Sequence, residues 1–107
     1  MSVLVSVIDS VHPALSERLR AAGHRVLETP QRSGIDKGSE VLIVRSSRVD
    51  AELIAQLPAL KFIGRIGSGL ENIDLPHCTA RGIQVINSPE GNRDGVGEMA
   101  LTLLLVL

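Results

Sequence analysis

Short apolar runs alternate along this chain with segments that carry apolar residues at helical spacing. Five of these runs are predicted as strands, at residues 3–8, 25–28, 41–44, 60–63 and 83–86. The run 41–44 contains no polar residue, which is typical of a strand buried on both faces. Strands that alternate with helices predict an α/β fold, with a parallel five-stranded sheet covered by helices on both faces.

The segments between the runs carry the start and stop signals of helices. The predicted helices are 13–22, ended by Gly23; Asp50 to about Gln56, stopped by Pro58; a short one capped by Asp74 and ended by Gly82; and a last one capped by Asp94. Asp is a favoured N-cap, while glycine and proline favour helix ends. Gly95 and Gly97 weaken the start of the last helix.

The last predicted helix is apolar on nearly every side between residues 98 and 107. A helix of that kind requires burial all round, so we expect most of its partners to lie outside these residues. We therefore predict an incomplete domain within a longer protein. The alternative is a core helix of a complete small domain. In either case, an apolar helix that stays exposed predicts dimerisation or swapping.

Composition argues against several classes of function. A net charge of −1 and a single aromatic residue, Phe62, do not suit a nucleic-acid binder. The longest apolar run is far short of the roughly 18 residues that span a bilayer. One cysteine, Cys78, allows no internal disulfide, and the three histidines lack metal-ligand spacing. We expect a cytoplasmic protein without a metal, in which Cys78 packs inside its short helix.

Ligands of parallel α/β sheets bind outside the carboxyl ends of the strands. The residues there that suit an anion are Arg45, Ser46, Arg65, Ile66, Gly67, Ser68 and Gly69. Successive backbone amides around a glycine-rich turn can converge on a carboxylate or phosphate, and guanidinium groups add charge and forked donors. The alternative is that Arg45 and Arg65 are surface residues paired with carboxylates.

The glycine run beginning at Gly67 also resembles a G-x-G-x-x-G dinucleotide fingerprint, with Glu90 about 20 residues further on. That motif requires a helix to begin inside the run, whereas Asp74 and Pro76 predict a later start. Asn72 stands where the third glycine is needed. A response-regulator receiver is also unsuitable, because Arg45 occupies the place of its phosphoacceptor aspartate. These residues argue against the dinucleotide fingerprint, and we reject the receiver interpretation.

Three stretches resemble D-isomer-specific 2-hydroxyacid dehydrogenases, and most closely their 3-phosphoglycerate dehydrogenase branch. They are VLIVRS at 41–46, LKFIGRIGSGLENID at 60–74, and RGIQVINSPEGN at 81–92, followed by Gly97 and Glu98. The resemblance is specific from about residue 41 onward, and residues 1–40 agree only in pattern. It implies a flavodoxin-like substrate domain, residues 1–93. Residues 94–107 would begin the interdomain helix that leads to an absent NAD-binding Rossmann domain.

The resemblance also implies roles for the predicted site. The backbone amides of 65–69 would hold the substrate carboxylate, and Ser68 would also approach the NAD cofactor. Arg45 and Arg65 would hold a hydroxyacid or phospho-hydroxyacid substrate, in phosphoglycerate enzymes near its phosphate. The acid–base histidine, its carboxylate and the carbonyl-polarising arginine belong to the inserted domain, and no position here matches them. We expect this chain alone to be inactive and the full enzyme to be a homo-oligomer. The alternative is a stand-alone anion-binding or dimerising module without catalysis.

Overall fold

The computed structural model describes residues 2–107, and it has five parallel strands in the order β2-β1-β3-β4-β5. The strands are β1 (Leu4–Val7), β2 (Arg25–Glu28), β3 (Val41–Val44), β4 (Phe62–Ile66) and β5 (Gln84–Ser88). The helices are α1 (Ala14–Ala21), α2 (Ala51–Ala55), α3 (Leu75–Ala80) and α4 (Arg93–Val106), with a 3-10 turn at Arg32–Gly34. The predicted fold class is confirmed, and this strand order is that of flavodoxin-like sheets.

The sheet has its topological switch point between β1 and β3. β1 pairs with β2 on one side and with β3 on the other, so the chain first builds outward in one direction and then in the opposite one. The crossover connections that leave the carboxyl ends of β1 and β3 therefore diverge and open a crevice there. The fold places its most suitable ligand site at this crevice.

Helices cover both faces of the sheet with separate apolar cores. α1 and α4 bury side chains on one face, among them Leu15, Leu19, Met99 and Leu103. α2 and α3 cover the other face with Leu53, Ile54 and Cys78 among the buried residues. Burial raises the pKa of the Cys78 thiol, and the nearby Asp74 carboxylate adds to this, which agrees with the expected packing role. Both faces of the sheet are thus covered, as predicted.

β4 was predicted at 60–63, and this boundary is wrong. The strand continues through Gly64 and Arg65 to Ile66, which pairs with Ser88 of β5. Glycine disfavours a strand interior, but here it allows close packing: an added Cβ would lie 2.9 Å from Ile43 Cδ1. Pairing with strands on both sides outweighs the local preference, so Arg65 and Ile66 belong to the sheet.

The start of α4 also differs from its prediction. Asn92, rather than Asp94, is the N-cap, and its side chain accepts the Gly95 amide at 2.9 Å. The helix buries one face only: Leu101, Leu105 and Val106 are 56%, 79% and 47% exposed. All-round burial is thus not achieved within residues 2–107. No helix in that range is both long and apolar enough to cross a membrane.

Candidate functional site

A cleft of about 240 Å³ lies at the carboxyl ends of β1, β3 and β4, at the switch point. Its lining residues are Ser10, Val11, His12, Arg45, Ile66 and Gly91. The first three belong to the loop between β1 and α1, and Arg45 directly follows β3. Two of the predicted site residues, Arg45 and Ile66, are therefore brought together in one cleft.

Arg45 is exposed at the mouth of this cleft. One guanidinium nitrogen, Nη1, donates a long hydrogen bond of 3.4 Å to the Ser10 carbonyl. A guanidinium has five N–H donors, so most of its donors stay available to a ligand. Within residues 2–107 no carboxylate lies within ion-pair distance of Arg45. The alternative interpretation of Arg45 as one half of a surface ion pair is therefore wrong.

The carboxylate of Asp9 holds the end of β3 in place. Its Oδ2 accepts the backbone amides of Arg45, Ser46 and Ser47 at 2.7, 2.9 and 2.9 Å. Its Oδ1 accepts the Ser47 hydroxyl at 2.6 Å. Burial alone would raise the pKa of the Asp9 carboxyl, but the Ser47 hydroxyl and the three amides together lower it below its usual range.

The hydrogen bonds to Asp9 limit which groups of Ser46 can bind a ligand. Its amide is committed to Asp9, so only its exposed hydroxyl is left for a ligand. The nest of amides after β3 already holds an anion, and that anion is the protein's own side chain. Sequence reasoning missed this role of Asp9. The signal available in the sequence was the position of Asp9, an acidic residue just after β1, the strand that pairs with β3.

The Arg65 guanidinium is directed at backbone carbonyl groups. Its Nε donates to Arg45 O at 3.1 Å, and its Nη1 donates to Ser68 O and to Gly69 O. Side chains alternate along a strand, so Arg65 shares the α2/α3 face with Ile63, whereas Ile66 belongs to the α1/α4 face. Arg65 thus braces the turn after β4 and lies outside the cleft lining.

Fewer backbone amides around residues 66–69 are available to an anion than the sequence predicted. Ile66 is a strand residue, and the Gly67 amide donates to Ser88 O at 2.7 Å. The exposed Ser68 and Gly69 amides have no acceptor among the described residues, 2–107. Gly67 and Gly69 have φ values of 147° and 74°, which favour glycine. Two amides of this turn remain free to meet an anion.

The turn is not a dinucleotide fingerprint, as predicted. α3 begins at Leu75, capped by Asp74, whose carboxylate accepts the His77 amide at 3.1 Å. Asn72 donates from Nδ2 to Ser47 O at 2.9 Å and so ties this turn to the loop after β3. A pyrophosphate would therefore meet no helix N-terminus inside the glycine run.

His12 is the cleft residue that the sequence interpretation treated only as structural. Its Nδ1 accepts the Ala14 amide at 3.1 Å, which does confirm a role at the start of α1. Its position in the loop after β1, across the switch point from Arg45, was the signal for a second role. Among the described residues, 2–107, no group of three His, Cys, Asp or Glu side chains could hold a metal ion.

A larger cavity, of about 420 Å³, lies between β5 and α4. Its residues run from Val85 to Pro89, together with Glu98, Met99 and Thr102. Within the described part of the chain, Glu98 is the one charged side chain in this lining, so the cavity does not suit an anion. Cavity volume therefore does not identify the site. The Arg45 guanidinium and the position at the switch point favour the smaller cleft.

Comparison with known proteins shows the family to which this chain belongs. A family model described as "D-isomer specific 2-hydroxyacid dehydrogenase, catalytic domain" matches residues 5–101. D-3-phosphoglycerate dehydrogenase of Mycobacterium leprae is 47% identical over 68 residues, 63% of this chain and 13% of that protein. The Sus scrofa protein of the same name is 34% identical over 109 residues, 96% of this chain and 20% of its own length.

Solved structures resemble this chain as well. NAD⁺-bound 3-phosphoglycerate dehydrogenase of Entamoeba histolytica matches with a TM-score of 0.75 and 32% identity, over 97% of this chain and 38% of that one. The chain thus spans a fifth or less of the two curated relatives, at 13% and 20%. A family model that matches almost the whole chain leaves one conclusion: the chain belongs to the D-isomer specific 2-hydroxyacid dehydrogenase family.

Proposed function

We propose that this chain is the substrate-binding part of an NAD-dependent oxidoreductase that acts on the CH–OH group of a D-2-hydroxyacid, with 3-phosphoglycerate as substrate. Residues 1–93 would be the substrate domain, and 94–107 would begin the helix that leads to the NAD-binding domain. Hydride would move between C2 of the hydroxyacid and the nicotinamide, and an acid–base group would handle the hydroxyl proton.

One observation carries the proposal: Arg45 lines the switch-point cleft, and no carboxylate of residues 2–107 forms an ion pair with its guanidinium. The free amides of Ser68 and Gly69 supply a second set of anion donors on the neighbouring strand end. A phosphorylated hydroxyacid carries two anionic groups, a carboxylate and a phosphate. We assign the carboxylate to the Ser68–Gly69 turn and the phosphate to the side of Arg45, with Arg65 holding the turn in shape.

The residues of this chain do not fit the main NAD site, because its glycine run leads into no helix N-terminus. We therefore assign NAD binding mainly to sequence outside these 107 residues, with the exposed Ser68 as the contact from this side. When bound, the nicotinamide supplies the hydride chemistry. What this chain contributes is binding and orientation of the hydroxyacid.

Two measurements test the proposal. Calorimetric titration with 3-phosphoglycerate should show binding that Arg45→Met weakens about tenfold or more, since hydrogen bonds to charged groups are among the stronger ones. Arg25→Met is the matched control, because Arg25 is exposed at the opposite, amino end of β2. Equal effects of the two substitutions, or no binding by the unsubstituted chain, would contradict the proposal.

The second measurement is NADH oxidation with hydroxypyruvate phosphate by the pure 107-residue chain. We expect no turnover, because we assign the acid–base histidine and the polarising arginine to the NAD-binding domain. Turnover that co-purifies with the chain through every step would contradict this part of the proposal.

A dimerising module is the second candidate function. The apolar residues that α4 leaves exposed, with Leu105 79% exposed, favour it. We propose that this face is covered by a second copy or by another part of the same protein.

A further inference from the structure

His12 and Arg45 both line the switch-point cleft, His12 from the loop after β1 and Arg45 from the end of β3. The His12 ring has a defined orientation, because its Nδ1 accepts the Ala14 amide at 3.1 Å. A ring nitrogen that accepts a hydrogen bond carries no proton, so in the neutral tautomer the proton is on Nε2. For Nε2 there is no acceptor among the described residues, 2–107.

The lining of the cleft combines one cationic side chain with neutral donors and apolar residues, which suits an anion. Of the residues that the structure describes, Arg45 is the one in this lining with a permanent charge, Ser10 and His12 supply further donors, and Val11 and Ile66 are apolar. Asp9 is the acidic residue next to Ser10 in the chain, but four donors already satisfy its carboxylate. A compact anion in the cleft would therefore meet donors and apolar walls rather than an unsatisfied carboxylate.

We propose that His12 is a specificity-determining residue: its Nε2–H, together with Arg45, receives the anionic group at the end of the substrate remote from the reacting carbon. This inference rests on the proposed function and adds to it. The ligand chemistry is that of a phosphate monoester or a second carboxylate. His12 would thus distinguish a doubly anionic hydroxyacid from a singly anionic one with the same carbon chain.

Two substitutions separate this role from the structural one. His12→Asn retains an acceptor near the position of Nδ1, which can still receive the Ala14 amide, but it loses the donor at Nε2. His12→Gln places an amide donor near the position of Nε2. A merely structural role would leave His12→Asn unaffected, because Asn is also a good cap at a helix start.

The experiment is titration of the three proteins with 3-phosphoglycerate and with D-glycerate, which lacks the phosphate. We expect His12→Asn to weaken 3-phosphoglycerate binding about tenfold and to leave D-glycerate binding and the melting temperature unchanged. His12→Gln should retain most of the preference for the phosphorylated acid.

The outcomes separate the two proposals. If the unsubstituted chain prefers 3-phosphoglycerate and His12→Asn keeps the full preference, the inference about His12 is wrong and the proposed function stands. The same holds if His12→Asn weakens both ligands equally. If the unsubstituted chain binds neither acid, the proposed function is wrong and the role of His12 is lost with it.

Discussion

Ser47 donates its backbone amide and its hydroxyl to the two carboxylate oxygens of Asp9, at 2.9 and 2.6 Å. This contact joins the end of β1 to the loop after β3, on the two sides of the switch point. The adjoining amide of Arg45 binds the same carboxylate at 2.7 Å. The position of the Arg45 guanidinium in the cleft therefore depends on an anion that the protein supplies itself.

Asp9→Asn should destabilise the fold by about 1–2 kcal/mol at pH 7, a figure reduced because Asp9 is partly exposed. An amide side chain lacks the charge that three backbone amides and a hydroxyl receive. Urea unfolding followed by circular dichroism measures the change. Ser47→Ala, which removes one of these donors, should give a smaller loss. A fully stable Asp9→Asn variant would contradict the account of this contact.

The same substitution should alter the dependence of stability on pH. The pKa of Asp9 is lowered in the folded protein, so its ionised form adds stability above the unfolded value of 3.8, and this is lost as the pH falls through the folded pKa. The free energy of unfolding should therefore fall less steeply below about pH 4 in Asp9→Asn. Parallel curves for the two proteins would contradict the prediction.

Gly95 and Gly97 should respond oppositely to alanine. Helix propensity alone favours alanine at both positions by about 0.5–1 kcal/mol. A Cβ on Gly95 would overlap the Glu90 carbonyl oxygen, which is backbone, whereas on Gly97 it would lie 3.2 Å from the flexible end of Arg18. We expect Gly95→Ala to lose about 1–3 kcal/mol and Gly97→Ala to be neutral or stabilising. Chemical unfolding of both variants measures this, and equal stabilisation would contradict it.

These glycines also show where prediction from sequence stops. Apolar runs and cap residues predicted the existence and order of the five strands and four helices and the class of the sheet, because they express local periodicity and turn chemistry. They misplaced the end of β4 and the N-cap of α4. Gly95 was expected to weaken the start of α4, and the strand was expected to end before Gly64. Close packing against Glu90 and Ile43 explains both glycines. The same distinction between local and long-range signals applies to the candidate site. Arg45 was found from its place at a strand end, but the Asp9 carboxylate and the His12 orientation depend on contacts distant in sequence.

Arg81, at the end of α3, should contribute more to the stability of the fold than Arg93, at the start of α4. Its guanidinium donates to the carbonyls of Ile54, Leu57 and Pro58 and so fastens the end of α2 to α3. Arg81→Met should lower the free energy of unfolding by about 1–3 kcal/mol, because it removes three hydrogen bonds from a charged donor. The Ile54 and Leu57 carbonyls would keep only their backbone donors, the amides of Leu57 and Leu60. Arg93→Met, at an exposed position, should change it by less than about 0.5 kcal/mol. Similar effects of both would count against this assignment.

The exposed face of α4 should control self-association. Leu101 and Leu105 lie one helical turn apart and are 56% and 79% exposed. We expect light scattering to show concentration-dependent dimers for the unsubstituted chain and monomers for the double variant Leu101→Lys/Leu105→Lys. Leu27→Lys, at an exposed leucine on β2, is the control and should still dimerise. A chain that stays monomeric at every concentration would contradict the prediction.

If the cleft between β1 and β3 receives an anionic hydroxyacid, an amide NMR titration of the 107-residue chain with 3-phosphoglycerate should reveal it. We predict saturable shifts at Arg45, Ser68 and Gly69 and at the His12 side chain, with little change along β5. Absence of saturable shifts, or the largest shifts in the cavity beside Glu98, would contradict it.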